Sequence, residues 1–401
     1  MTHLSGAPGE QEDSCAAASS SSAALSVQPS HWHQEGKARF RVGNAFYRAG
    51  SAIARDLAVL AAATYKATTG QLRVLDAMTG CGVRPLRYRL EAGADWVWAN
   101  EGNPDLGPVL QQNLANGLEA GAYSITHLDA NRVFFDCYQR RDYYDLVDVD
   151  SFGSAAPYVS TSLWATKIGG LLYLTSTDGR TSEGRHPDKS LAVYGAYARS
   201  HPAAHEQGLR LLLGSVFQQA AMKGLGIQPG FALFSGQVYR VMVRLVAKSN
   251  MQASLFGFLG YCHDCGHYQT VSWRRLNQAQ CPCPDHNPPK PLTLSGPMWL
   301  GPLHDGKLLQ QMEALATTWG WSTQTRLLQV MQAEAALPPY FLTLAEIGHH
   351  GQMDIPQRDR LIQALHAQGY RASLTHIDPQ AIKTHATMAA CLAIARQLSR
   401  D

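Results

Sequence analysis

Charge is scarce in this chain. Of 401 residues only 16% are Asp, Glu, Lys or Arg, and the formal net charge is +3. That balance neither demands nor excludes a polyanionic partner, because local patches decide such binding. Long apolar runs are absent too: no window approaches 18 uninterrupted apolar residues, so no membrane span is expected. The N-terminus lacks the basic-then-apolar order of a secretion signal, and residues 1–30 hold no Lys or Arg, which argues against a transit-like extension. Eight cysteines are few for this length, and four of them crowd into 22 residues, so a secreted disulfide framework is excluded. A reducing compartment fits, and the cytoplasm is the expected location.

What is present is enough apolar material, 45%, for a sizeable core. The length allows two or three domains at ~100–200 residues each. Residues 1–32 are rich in Ser, Ala and Gly and too poor in large apolar side chains to offset ordering entropy, so disorder is expected there. Residues 35–46 read as a strand or hairpin. A helix over 51–67 follows, with Ile53, Leu57, Leu60 and Ala61 on one face and Arg55 near its start. An arginine there binds an anion or, more commonly, lies solvated.

The next segments have a repeating order. A short strand, 72–77, contains Asp76; the turn Met78-Thr79-Gly80-Cys81-Gly82-Val83-Arg84 leads into a helix over 85–92; a second strand, 96–100, runs into Glu101. Strand, glycine turn, helix, strand, acid is the opening of a nucleotide-binding α/β sheet. Gly80 and Gly82 can adopt turn dihedrals and let backbone approach a ligand closely. Glu101, 19 residues after Gly82, can accept from both hydroxyls of a ribose. The glycine fingerprint of dinucleotide sites is incomplete because position 85 is Pro. S-adenosylmethionine, which needs the acid but no pyrophosphate cradle, fits better. A third strand, 124–128, runs into Asp129 and Ala130. Asp129 either faces an adenine amino group, with Ala130 N–H beside it, or caps a helix near 132–140.

The stretch 143–154 ends a fourth strand in Asp150-Ser151-Phe152-Gly153. An acid and an aromatic ring at a strand's carboxyl end lie where such sheets bind ligands, and they suit a flat base bearing an amino group. A polar turn closing a strand is the plainer alternative. A helix over 158–167 and a strand over 170–177 continue the doubly wound order. Residues 178–201 read as a polar loop whose Arg185, Tyr194 and Tyr197 either rim the site for RNA or are merely solvated. A long helix over 206–225 and a strand over 237–246 alternating to Arg240 and Arg244 follow.

Cys262-His263-Asp264-Cys265, fifteen residues, then Cys281-Pro282-Cys283 is a zinc-ribbon-like spacing. Two thiolate-bearing turns can close a tetrahedron around a structural Zn²⁺. Cys-x-Cys is tighter than the usual Cys-x-x-Cys, so His286 stands as an alternative fourth ligand. Beyond Pro288-Pro289 a separate α+β domain is expected, with Arg371, His376, Lys383 and Thr384 as RNA contacts. The reading is thus an α/β methyltransferase domain over 33–250 and a C-terminal domain over 251–401 with the zinc element at 258–290.

Several long motifs carry a resemblance. They are Phe46-Tyr47 with Arg55-Asp56, the stretch from Leu75 to Arg84, Asp148-Val149-Asp150-Ser151-Phe152-Gly153-Ser154, and Thr175-Ser176-Thr177-Asp178. Gly296-Pro297-Met298-Trp299-Leu300-Gly301-Pro302-Leu303-His304-Asp305 and the run from Gly369 to His376 complete the set, and a general methyltransferase fold would not supply these two. The chain resembles the tRNA guanine-N2 dimethyltransferase family, which methylates guanine 26 of tRNA. The resemblance implies S-adenosylmethionine bound at Arg55, Arg84, Glu101, Asp129 and Ala130, and Asp76 and Gly80 of the strand and glycine turn are expected to join them. It implies Asp150 on the guanine amino group, Phe152 against the base, and zinc on Cys262, Cys265, Cys281 and Cys283. Arg185, Arg371, His376 and Lys383 are the expected tRNA contacts; nothing points to an obligate protein partner. Two departures stand out: the family's Asp-Pro-Phe-Gly is Asp-Ser-Phe-Gly here, and its Phe-Tyr-Asn-Pro-Arg-Met is Phe46-Tyr47-Arg48-Ala49-Gly50-Ser51. The rival readings are a methyltransferase for another base amino group, a zinc-ribbon RNA-binding protein without catalysis, and, more remotely, a dehydrogenase.

Overall fold

The computed structural model describes residues 31–284 and 286–398. The segment expected to be disordered lies outside them except for its last two residues, and Trp32 already opens a strand. A hairpin of β1 (Trp32–Glu35) and β2 (Ala38–Arg41) leads to α1 (Ala52–Thr69), which stops at Gly70 in a left-handed conformation. Then strands and helices alternate: β3 (Arg73–Asp76), α2 (Val83–Leu90), β4 (Trp96–Asn100), α3 (Gly107–Gly117), β5 (Tyr123–Thr126), α4 (Ala130–Arg140), β6 (Tyr144–Asp150), α5 (Ala156–Ala165) and β7 (Thr166–Ser176).

These strands pair in parallel, and an antiparallel pair, β8 (Gly226–Ser235) and β9 (Val238–Val246), completes a seven-stranded mixed sheet in the order β5-β4-β3-β6-β7-β9-β8. Parallel strands covered on both faces are buried along their length, as 144–149 is, including Asp145 and Asp148. Strand β8 escaped the sequence reading because Pro229 interrupts it. Pro229 is tolerated because β8 is the sheet edge and its register shifts between Pro229 and Phe231.

The segment 178–201, expected to be a loop, folds instead into α6 (Gly179–Ser182) and α7 (Pro187–Tyr194). Proline at the first helical position and Gly195 in a left-handed cap bound α7. Tyr194 is buried, so it is not a platform for a base, whereas Tyr197 stays exposed. The long helix α8 (Ala204–Met222) packs behind the sheet.

Three strands, β10 (Phe256–Tyr261), β11 (Tyr268–Val271) and β12 (Thr293–Trp299), carry the cysteine turns in the order β11-β10-β12. Next come α9 (Gly306–Thr318) and α10 (Ser322–Glu334), then a small sheet of β13 (Leu342–Thr343), β14 (Ala372–Leu374) and β15 (Ala381–Thr384) with α11 (Leu344–Gly351), α12 (Arg358–Ala367) and α13 (Met388–Leu398). The expected boundary near 250 is not a break in the core. Leu308, Leu309 and Met312 of α9 share one buried cluster with Leu57 and Leu60 of α1 and Val74 of β3. Phe341 and Ile382 join Leu172 and Val241 in another. Among the described residues no helix is long and apolar enough to cross a membrane.

Candidate functional site

At the carboxyl ends of β3, β4, β6 and β7 lies a cavity of about 510 Å³, within the range of small-molecule and cofactor sites. Its wall brings together Arg55, Gly80, Arg84, Glu101, Asp129, Ala130, Asp150 and Phe152 from the expected set. Asp76 is the exception: it does not line the cavity but is buried beneath it, in register with Asp148. Burial pushes its carboxyl well above the usual range, and the neighbouring Asp148 adds to this.

The glycine turn has two distinct jobs. Gly80, at φ +57°, has only Phe46 O near a hypothetical Cβ, at 3.8 Å, so its backbone faces open space. Gly82, at φ +87°, would place a Cβ 2.8 Å from Leu110, so it serves helix packing. Glu101 braces the turn by accepting from Gly80 N at 2.8 Å and Asn103 N at 2.9 Å. A carboxylate offers about four acceptor sites, which leaves capacity for a diol. Asp129 accepts from Arg132 N at 3.2 Å as the cap of α4, and it also lines the cavity. Arg55 is no solvated surface residue. It is buried and paired with Glu35 through contacts of 2.5 and 2.6 Å.

The end of β6 is held tightly. Arg84 donates to Asp148 at 2.8 Å and to Asp150 at 2.7 Å, and Tyr88 donates to Asp148 at 2.5 Å. Asp148 is thereby consumed in the interior, while the Asp150 side chain keeps 33% exposure to the cavity. Burial raises the Asp150 carboxyl's affinity for a proton, but Arg84 and Arg240 outweigh it and hold its pKa below the usual range. Ser151 compensates for the missing proline, since its hydroxyl donates to Thr175 O of β7 at 3.0 Å. Gly153 N donates to Thr177 Oγ1 at 2.8 Å, lacing the turn to the residue just after that strand.

Phe46 and Arg240 are among the cavity residues that sequence reasoning did not assign to the site. Phe46 is 69% exposed and meets the 74% exposed Phe152 edge to face, with ring centroids 5.0 Å apart. Two large rings exposed at one mouth are a signal only the fold reveals. Arg240 lies in the wall from β9; a charged residue inside an apolar strand was the hint available.

The outlying expectations fare unequally. Arg185 and Arg371 are exposed. His376 and Lys383 are not surface groups, which corrects their assignment as RNA contacts. Lys383 is buried and donates to Glu206 of α8 at 2.7 Å, beside Arg210. The His376 side chain is buried against Glu334, with His304 nearby. Thr384 is buried too. These groups tie the C-terminal strands to the rest of the molecule. In the cysteine element, one sulfur from each of Cys262, Cys265 and Cys281 lies within 4.8 Å of the others, and Cys265 and Cys281 approach to 3.4 Å. Cys283 packs against the same cluster. His286 lies with Asp264 and Cys262 in an overlapping group.

Residues 31–396 match the family model described as N2,N2-dimethylguanosine tRNA methyltransferase. Among similar proteins is a tRNA (guanine(26)-N(2))-dimethyltransferase of Pyrococcus horikoshii, 29% identical over 381 residues, which span 88% of this chain and 94% of the relative. The Aeropyrum pernix protein of the same name is 30% identical over 357 residues, 85% of this chain and 86% of the relative. A solved structure of Trm1 from Pyrococcus horikoshii with S-adenosyl-L-methionine superposes with a TM-score of 0.79 at 28% identity, covering 91% of this chain and 99% of that one. The chain therefore belongs to the N2,N2-dimethylguanosine tRNA methyltransferase family, and its fold is the α/β methyltransferase fold with a mixed central sheet.

Proposed function

We propose that this protein transfers methyl groups from S-adenosylmethionine to the exocyclic N2 of guanine 26 in tRNA. The observation that carries the reading is a single cavity shared by a ribose-type acid, Glu101, and a base-facing acid and ring, Asp150 and Phe152. The cofactor supplies an electrophilic methyl group. Glu101 would hold its ribose hydroxyls, Asp129 and the Ala130 N–H its adenine, and the Gly80 backbone its flank, with Arg55 and Arg84 behind.

Guanine N2 is a weak nucleophile because its lone pair is delocalised into the ring. Asp150 accepts a hydrogen bond from that amine, orients it in line with the methyl, and stabilises the positive charge that develops as the N–C bond forms. Its depressed pKa makes it an orienting carboxylate; the displaced proton is passed on to water through the open mouth. Guanine 26 must leave its stack to enter, and Phe152 with Phe46 would replace the lost stacking. A monomethylated amine still carries one hydrogen for the same contact, so a second transfer needs only cofactor exchange.

The cysteine cluster fits a structural zinc held by Cys262, Cys265, Cys281 and Cys283. Tetrahedral zinc thiolates at ~2.3 Å set sulfurs about 3.8 Å apart, close to the Cys265–Cys281 spacing. No catalytic step is assigned to it.

The test is incubation with unmodified tRNA and cofactor carrying a labelled methyl group, followed by nucleoside analysis. Label in N2-methyl- and N2,N2-dimethylguanosine supports the reading. Label only in another nucleoside, or none from a folded and zinc-replete protein, would sink it.

A further inference from the structure

The cavity contains a second group awaiting a partner. Arg55 is held by Glu35 and Arg84 by two aspartates. Arg240, only 3% exposed, makes among the described residues a single hydrogen bond, from Nη2 to Ser51 Oγ at 3.3 Å. Its Nε is buried with no acceptor. Buried donors are rarely left unmet, and a guanidinium in a cavity wall with one long hydrogen bond keeps donor capacity for a ligand.

The sheet register says which acceptor. Asp150 on β6 is in register with Thr175 on β7, and Thr175 with Arg240 on β9. Side chains of registered neighbours project from one face of a sheet, and all three residues line the cavity. Carboxylate, hydroxyl and guanidinium thus form one lateral row. Strands spaced ~4.8 Å apart put Asp150 and Arg240 about 10 Å apart at Cα, room for one base held between their side chains.

The geometry points to Arg240 as the residue that reads O6 of the target guanine while Asp150 accepts from N2. This rests on the methyl-transfer reading above and deepens it. The Watson–Crick edge of guanine presents N2–H, N1–H and O6 in sequence: donor, donor, acceptor. An anionic acceptor at one end of the row and a cationic donor at the other match that order. Adenine with its N6 amine on Asp150 would turn C2–H toward the guanidinium. A buried cation would then have no acceptor, and sites built around a hydrogen bond reject ligands that lack it. Arg240 is therefore a specificity residue, distinct from the orienting role of Asp150.

A double-mutant cycle tests this, using kcat/KM for tRNA with guanine or 2-aminopurine at position 26, with wild-type protein and Arg240→Met. 2-Aminopurine keeps the N2 amine and lacks O6. It also lacks N1–H, but that loss is common to both proteins and cancels in the cycle. The expected result is a 2-aminopurine penalty at least tenfold larger for wild type than for Arg240→Met, with unchanged S-adenosylmethionine affinity by calorimetry. Arg240→Lys, which keeps the buried cation and loses the fork, provides a second cycle with less disturbance of the strand. Equal penalties in an active wild-type background overturn the assignment. So does a tenfold loss of cofactor affinity, which makes Arg240 a cofactor ligand, or an equal rise in KM for both tRNAs, which makes it a phosphate contact. A wild-type protein that leaves guanine 26 unmethylated overturns the methyl-transfer reading itself.

Discussion

Arg84 holds Asp150 at 2.7 Å with one nitrogen of a guanidinium whose other nitrogen is fixed on Asp148 at 2.8 Å. The arginine is buried, and so is Asp148, which also accepts from Tyr88. A carboxylate at a strand end would otherwise swing with its side chain and with the turn that follows. Here its charge is balanced, its position set and one face left to the cavity. The consequences can be measured.

The first concerns pH. With its pKa held below the usual carboxylate range, Asp150 is ionised at every pH above about 4. Its contribution to kcat is then flat from neutral pH downward and is lost only as pH falls through that depressed value. Arg84→Gln removes the principal counter-charge and lets burial dominate, so the acid limb moves up toward neutrality. Profiles of kcat against pH, at saturating cofactor, measure both. A wild-type limb assignable to Asp150 above pH 5 contradicts the electrostatics.

Asp150→Asn keeps the shape and replaces a charged acceptor with an amide. Loss of one preorganised group that stabilises developing charge costs roughly 10²–10³ in rate. We expect kcat to fall within that range while S-adenosylmethionine affinity, read by calorimetry, stays within a few-fold. Retention of full activity would remove Asp150 from the mechanism.

The exposed rings predict a split between stability and activity. Base stacking on an aromatic side chain contributes about 1–3 kcal/mol, or about 5–150-fold. Phe152→Ala and Phe46→Ala should each lower kcat/KM for tRNA by that order. Their Tm should not move, since both rings already face solvent. Thermal denaturation beside steady-state kinetics separates the outcomes.

Lys383→Met strands Glu206 with Arg210 alone in the interior. Breaking a buried charge pair costs on the order of 3–5 kcal/mol, so a marked drop in denaturation midpoint is expected. The KM for tRNA of the folded fraction should be unchanged. A raised KM with unaltered stability would restore Lys383 to the RNA-contact list.

Removal of zinc from the cysteine element should lower Tm and leave the kinetics of the remaining folded protein intact. Metal analysis should return one zinc per chain. Cys265→Ser should abolish it, and the stability loss on chelation should vanish in that variant.

Much of the nucleotide half was legible along the chain. The glycine turn, Glu101, Asp129 and the strand end at Asp150 each follow an apolar strand, and period and punctuation are local properties of sequence. The same holds for the cysteine spacing. What the sequence left open were choices between two roles for one residue. Arg55 was an anion binder or a solvated group, and Asp129 a cap or a ligand-facing acid.

Only packing decided these. Arg84, from α2 far earlier in the chain, comes to rest between Asp148 and Asp150 and takes Asp148 wholly out of reach. Asp76 sinks below the cavity for the same reason, pressed against Asp148 by strand register. His376 and Lys383 look like surface contacts in a polar stretch, yet each finds a carboxylate partner on a helix distant in sequence, in Glu334 and Glu206. By itself, then, the sequence determined the fold class, the order of elements and which residue types gather at the strand ends. The tertiary structure decided which of those charges face a ligand. A charge's role depends on its partners in space, and those partners come from far along the chain.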